Sequence, residues 1–203
     1  MAPSSRRSHT TSGQLKALAS AARQDLVDLL ARTGPASVTE LGRLLQRPAD
    51  GLYYHLRELQ RVGLVQPAGT RLRGGREEAL FRTADQEPAV HHDPSPGGNS
   101  PAVSAIVASM LRLGIRDFRK AAALGHVRTE GARRDLWALR VTGWLSPTEL
   151  TAVNRRMRAL RDAFGKRHGT GQLYSITILL TPLGHRARRR RRGVRPPTRR
   201  TSR

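Results

Sequence analysis

The stretch SVTELGRLLQRPADGLYYHLRELQRVGLV, residues 37–65, decides the fold. Ser37-Val38-Thr39-Glu40 has the form of a capping box. The Ser37 hydroxyl is set to accept from a first-turn amide, and the Glu40 carboxylate to reach back to the Ser37 amide. Leu41, Leu44 and Leu45 carry a short helix onward. Gln46 to Ala49 contain Pro48, which removes a backbone donor, and read as a tight turn. Leu52, His55, Leu56, Leu59 and Val62 then recur on one face of a longer helix, and Gly63 is placed to end it. A capped short helix, a tight turn and a longer helix with one apolar face make a helix-turn-helix.

Upstream, Leu15, Leu18, Ala22, Leu26, Leu29 and Leu30 recur at helical spacing, and Gly34-Pro35 stops that helix. Downstream, Leu64 to Gln66 and Ala79 to Thr83 read as two strands joined by a Gly-rich basic loop, AGTRLRGGREE. The whole is the outline of a winged helix-turn-helix. Its second long helix needs an apolar side to sit on its neighbours and an open side able to donate hydrogen bonds in the major groove. The buried side is Leu52, Leu56 and Leu59. The open side offers Asp50, Gly51, Tyr53, Tyr54, Arg57 and Arg61. Arg71, Arg73 and Arg76 in the loop are placed to hold phosphate or enter the minor groove, with Gly69, Gly74 and Gly75 permitting close approach. The expected partner is therefore double-stranded DNA.

Three segments, LKALASAARQDLVDLLARTGPASVTELGRLL, PADGLYYHLRELQRVGLV and ALFRT, resemble ArsR-type winged-helix transcriptional regulators from Leu15 to about Thr83. The resemblance implies a homodimer on a partly palindromic operator, with base contacts from the first turns of the recognition helix: Asp50, Gly51, Tyr53, Tyr54 and Arg57. Two departures stand out. Pro48 occupies the place of the family's Ser or Thr cap, and the short helix has no cysteine pair, with Glu40 its only plausible ligand. The family's metal-thiolate sensing is not carried over. RRDLWALRVTGWLSPTELTAVNRRM, residues 133–157, is similar to C-terminal helices appended to some such regulators.

The remaining chain divides by composition. Residues 1–13 read as a disordered arm, 14–84 as the DNA-binding domain, 85–101 as a Pro/Gly linker, 102–184 as a smaller helical dimerisation or sensing domain, and 185–203 as a disordered arginine-rich tail. In the fourth part, Val103, Ile106, Val107, Met110, Leu111, Gly114 and Phe118 form an amphipathic pattern, and Leu136, Trp137 and Leu139 are assigned to a second helix. Ser146-Pro147-Thr148-Glu149 is a second capping box. Leu150, Val153, Met157, Leu160 and Phe164 follow it as an apolar stripe. Tyr174 to Leu180, YSITILL, reads as a strand. The expected class is α+β, mostly helical, with one C-terminal strand. Trp137 and Trp144 are better placed as core or dimer contacts than as the lining of a small-molecule effector pocket, which is left open.

The chain of 203 residues has 37 basic and 15 acidic side chains, a formal charge of +22, and no cysteine. That excludes disulfides, thiolate nucleophiles and cysteine-bearing metal sites. Residues 1–86 hold 13 basic and 8 acidic groups, whereas residues 185–203 hold ten arginines and no acid. The surplus favours a polyanion, and its tail portion speaks to affinity more than to choice of sequence. No HExxH, GxSxG or paired-carboxylate motif stands out, and the Gly69–Arg76 run lacks the Lys-Ser/Thr of a phosphate-binding loop. No enzyme activity, cofactor or metal is expected; His91-His92-Asp93 is a weak metal candidate. Without an apolar run or leader-like N-terminus, a cytoplasmic, nucleoid-associated protein is expected, with no membrane partner. The reading from these features is a sequence-specific transcriptional regulator. The alternative is a nonspecific nucleic-acid-packaging or RNA-associated basic protein.

Overall fold

The computed structural model describes residues 10–84, 92–93, 95–165 and 171–184. Most of the expected arm, residues 85–91 and 94 of the expected linker, His91 among them, and the tail lie outside these residues. Among them run α1 (Ser12–Leu18), α2 (Ala21–Thr33), β1 (Ala36–Ser37), α3 (Val38–Leu45), α4 (Asp50–Arg61), β2 (Val65–Arg73), β3 (Arg76–Thr83), α5 (Ser100–Ala123) and α6 (Pro147–Phe164).

Leucine side chains from the first four helices build the core. Leu26, Leu30, Leu41, Leu52, Leu56 and Leu59 are fully enclosed, and Leu15, Leu18, Leu29, Val38, Leu64 and Val65 close around them. The apolar period of the N-terminal segment spans two helices, where one continuous helix was expected. The break falls at Ala19–Ser20. Arg23 from α2 caps the end of α1, its Nε donating to the Ala17 carbonyl at 2.6 Å. Both helices face the same core, so the spacing continues through the break.

The helix-turn-helix forms as its sequence dictates. Ser37 caps α3 and Glu40 returns its carboxylate to the Ser37 amide at 3.1 Å. Gln46 turns the chain in the left-handed region at φ 53°, and the Arg47 amide donates to the Gly42 carbonyl at 2.9 Å. α4 begins after Ala49 with no side-chain cap, in keeping with Pro48 standing where a hydroxyl cap was looked for. Gly63, at φ 72°, follows the end of α4.

The wing is a longer hairpin than expected. β2 and β3 pair antiparallel from Val65↔Thr83 to Arg73↔Arg76, and most of the presumed loop lies in strands. Pro67 and Gly69 read as strand breakers. Pro67 is tolerated because β2 is an edge strand in the order β1-β3-β2, and Gly69 (φ 88°) sits where the register shifts between Pro67 and Thr70. Gly74 and Gly75, both at positive φ, make the tight turn that a two-residue hairpin demands.

The second half departs further. α5 forms where its amphipathic pattern placed it, and its Ile106 joins the core beside α1 and α2. Leu136, Trp137 and Leu139 are not helical, and residues 172–183 form no strand. The only strands among the described residues belong to the winged region. A β-ladder needs a hydrogen-bonding neighbour, and YSITILL has none among the described residues. In the first case Val141, Thr142 and Gly143 disfavour continuing a helix. Trp137 is held instead under the Arg134 guanidinium, 3.9 Å from the ring centre. α6 forms behind its Ser146–Glu149 capping box.

Candidate nucleic-acid interface

The side of α4 opposite Leu52, Leu56 and Leu59 is open. Asp50, Gly51, Tyr53, Tyr54, Arg57 and Arg61 are all exposed, Tyr53 by 46% and Tyr54 by 62%. Arg57 lies mid-helix with no ion pair or hydrogen bond among the described residues. Arg61 is engaged by Glu58 at 2.9 Å. Space above Gly51 is empty, with no atom within 4 Å of where a Cβ would project. Tyr54 stands edge-on to His55, their rings 5.4 Å apart.

The wing arginines divide. Arg71 pairs with Glu40 at 2.7 Å and lies 3.7 Å from Glu78, and Arg73 approaches Glu40 at 3.5 Å. Arg76, beside the Gly-Gly turn, is exposed and has no partner among the described residues. Glu40 therefore does two tasks: it closes the α3 cap and anchors the wing to that helix. Burial pushes the Glu40 carboxyl up. The Arg71 hydrogen bond, the Ser37 amide and the two guanidinium charges outweigh this and hold it below the ordinary carboxylate range. The sequence showed the cap but not the anchor, because the pairing depends on strand positions misread as loop. Arg43, exposed on α3 and without a partner among the described residues, was also passed over. A lone basic residue in a last helical turn reads first as a match to the helix dipole.

The start of α4 is fixed by two contacts. A Cβ added to Gly42 would lie 2.8 Å from the Arg47 carbonyl oxygen and 3.5 Å from the Ala49 nitrogen. Glycine thus lets α3 touch the backbone of the turn. A Gly42→Ala substitution, which would stabilise an ordinary helix, is expected to destabilise this domain by about 1–3 kcal/mol through overpacking. Urea unfolding checks it; unchanged or raised stability would show that the contact can relax. The second contact is Asp25 on α2, which accepts from Arg116 Nη2 of α5 at 3.1 Å and lies 3.6 Å from Arg47 Nη2. The Asp25 hydrogen bond holds the Arg116 guanidinium more firmly protonated than usual, against partial burial and with help from Asp117. Asp25→Ala is expected to cost about 1–3 kcal/mol, since charge-assisted hydrogen bonds are lost but both arginines can still reach water. Thermal melts of the two proteins measure it.

His55 is half-buried behind this face, and its Nδ1 has no partner among the described residues. Desolvation, followed by the charges of Arg23 and Arg47, pushes its pKa down. The unfolded chain takes a proton near the ordinary imidazole value of about 6.5 that the folded chain refuses. Stability should therefore fall as pH drops below that value, and His55→Asn should flatten this component. Urea titrations between mildly alkaline and mildly acidic pH test this; equal slopes in both proteins would contradict it.

Among the described residues no three His, Asp or Glu side chains gather around a possible metal site, and no helix is long and apolar enough to cross a membrane. His92 instead contacts Ser100, Nε2 to Oγ at 2.9 Å. Residues 18–67 match a family model described as a helix-turn-helix domain. No curated protein matches the chain. Among solved structures, an apo-form mutant of Lactococcus lactis ZitR is similar over 72% of this chain and 83% of its own, at 12% identity and a TM-score of 0.29. With its helix pair, exposed helix face and hairpin in place, the N-terminal region has the form of a winged helix-turn-helix, and residues 18–67 of it match the helix-turn-helix domain model.

Proposed function

We propose that this protein is an ArsR-like transcriptional regulator that reads double-stranded DNA in a sequence-specific manner as a homodimer. In this reading α4 lies in the major groove. Arg57 donates to a base edge, Tyr53 and Tyr54 pack against bases or sugars, and Asp50 and Gly51 face the groove at the helix start. Arg76 and the anchored Arg71 and Arg73 lie along the backbone, Arg61 and Arg43 flank the contact, and residues 185–203 add phosphate neutralisation. The carrying observation is Arg57, an exposed and unpaired guanidinium on the face of α4 opposite the core. Arginine donates two parallel hydrogen bonds to guanine, the commonest specific major-groove contact. A nucleoid location, and any small-molecule effector for the C-terminal half, belong to the same proposal.

The charge of +22, with ten arginines in residues 185–203, favours a second reading in which the protein coats nucleic acid without choosing sequence. Competition binding separates the two. A labelled preferred duplex, obtained by selection, is challenged with excess random duplex at moderate salt. A regulator retains the labelled site; a coating protein exchanges it freely.

A further inference from the structure

Two segments of the second half lack the partners that their composition calls for. Residues 134–146 and 172–183 each run without a helix, turn or bend. Residues 137–145 and 172–183 make no backbone–backbone hydrogen bond among the described residues. Both alternate. Trp137, Leu139 and Val141 are 62%, 76% and 75% exposed, with the smaller Ala138 and the charged Arg140 between them. Tyr174, Ile176, Ile178 and Leu180 are 47%, 50%, 39% and 48% exposed. The intervening polar positions of the later segment face α5. Ser175 Oγ donates to Asp117 Oδ2 at 3.3 Å, and Thr177 Oγ1 lies 3.1 Å from the Cβ position of Gly114. The segment therefore touches α5 through Ser175 and Thr177, while Tyr174, Ile176, Ile178 and Leu180, and with them Leu173 and Leu179 at 61% and 59% exposed, stay open.

Between the two segments lies α6, whose apolar stripe contains no buried residue. An alternating segment, an amphipathic helix and a second alternating segment are the parts of a strand–helix–strand unit. Here the parts are present and the sheet is not. Unpaired extended backbone with an apolar face is a template for another chain.

Charge selects the occupant. Residues 172–183 carry no ionisable side chain except Tyr174, and residues 136–145 carry only Arg140. In a chain of +22 these are open apolar segments at which two copies can meet without apposing like charges. We propose that a second copy of this chain completes the unit, with residues 136–145 of each protomer pairing with residues 173–181 of the other. The symmetric exchange pairs both segments of both chains, covers their apolar faces and closes over the α6 stripe. This deepens the homodimer in the reading above and rests on it for stoichiometry alone, because the pairing requires no DNA.

The full chain lacks cysteine, so introduced thiols report cleanly. Chains carrying Leu139→Cys or Val141→Cys are each mixed with chains carrying Ile176→Cys or Ile178→Cys and oxidised without DNA. Mixed disulfide dimers, identified by mass, are expected in at least one pairing, and the Val141→Cys/Ile176→Cys double variant should link between chains rather than within one. Ile176→Lys places a charge on a side chain that is exposed in the single chain. Its circular dichroism should be retained while sedimentation shifts from dimer to monomer. Three results would each overturn the proposal: a monomeric parent at high micromolar concentration, an intrachain link in the double variant, or an Ile176→Lys protein that stays dimeric. A monomeric parent would also remove the homodimer from the reading above, the other two results would leave it standing, and none of the three bears on whether α4 reads DNA.

Discussion

Arg57→Ala should sharply weaken sequence preference while leaving the fold intact. The side chain is exposed and makes no hydrogen bond or ion pair with other described residues, so stability should move by no more than about 0.5 kcal/mol. If its guanidinium holds a guanine edge, the preferred site loses about 1–3 kcal/mol. Binding to random duplex loses only the small share of one positive charge. The ratio of specific to nonspecific affinity is thus the telling quantity, measured by competition at one stated salt concentration. An unchanged ratio would assign base reading elsewhere, with Tyr53 and Tyr54 the next residues to test. Arg61→Ala is the matched control. Its charge is already engaged by Glu58, so its removal should lower the ratio less.

Removing residues 185–203 should have the larger effect on affinity and the smaller one on choice. Ten arginines leave with that segment. Each phosphate they neutralise contributes roughly 0.9 to the slope of log affinity against log salt. If all ten bind phosphate, the slope flattens by up to about 9, and affinity at low salt falls by orders of magnitude. The preferred sequence should remain preferred. Titrations at three or more salt concentrations, on preferred and random duplexes, check both halves of the statement. A truncated protein that keeps its affinity would show that the tail is a solvated extension. One that loses all preference would place sequence reading in the tail and favour the coating role.

Local chemistry explains which parts of the molecule were legible in the sequence. Ser37 and Glu40 close a cap within four residues, and Leu52, Leu56 and Leu59 bury one face of a single helix, so both could be read without knowing the rest of the fold. The open face of α4 followed from the same period. The wing was harder. Pro67 and Gly69 are strand breakers in general, and only the edge position of β2 and its bulge make them acceptable. The Glu40 anchor depends on that hairpin and was hidden with it. The break between α1 and α2 left no trace in the apolar period, because both helices serve one core.

In the second half, the residues around Trp137 and the YSITILL run carry apolar patterns whose outcome depends on what lies beside them. Alternation predicts a strand only if a neighbour supplies the ladder. The chain's own described residues supply none. Gly42 shows the opposite limit: a glycine inside a helix reads as a weak point, and only the 2.8 Å approach to the Arg47 carbonyl reveals it as a packing requirement.

Sequence-specific reading by α4 is the central claim, and a binding selection tests it most directly. Purified full-length protein and its Arg57→Ala variant are each offered a random duplex library at moderate salt, and the retained DNA is sequenced. The expected result is one enriched motif for the parent, made of two related half-sites whose centres lie about one helical turn, ~34–36 Å, apart. The variant should lose the preference at one position of each half-site. Retained DNA with no enriched motif would contradict the claim, and the same motif from both proteins would remove Arg57 from it.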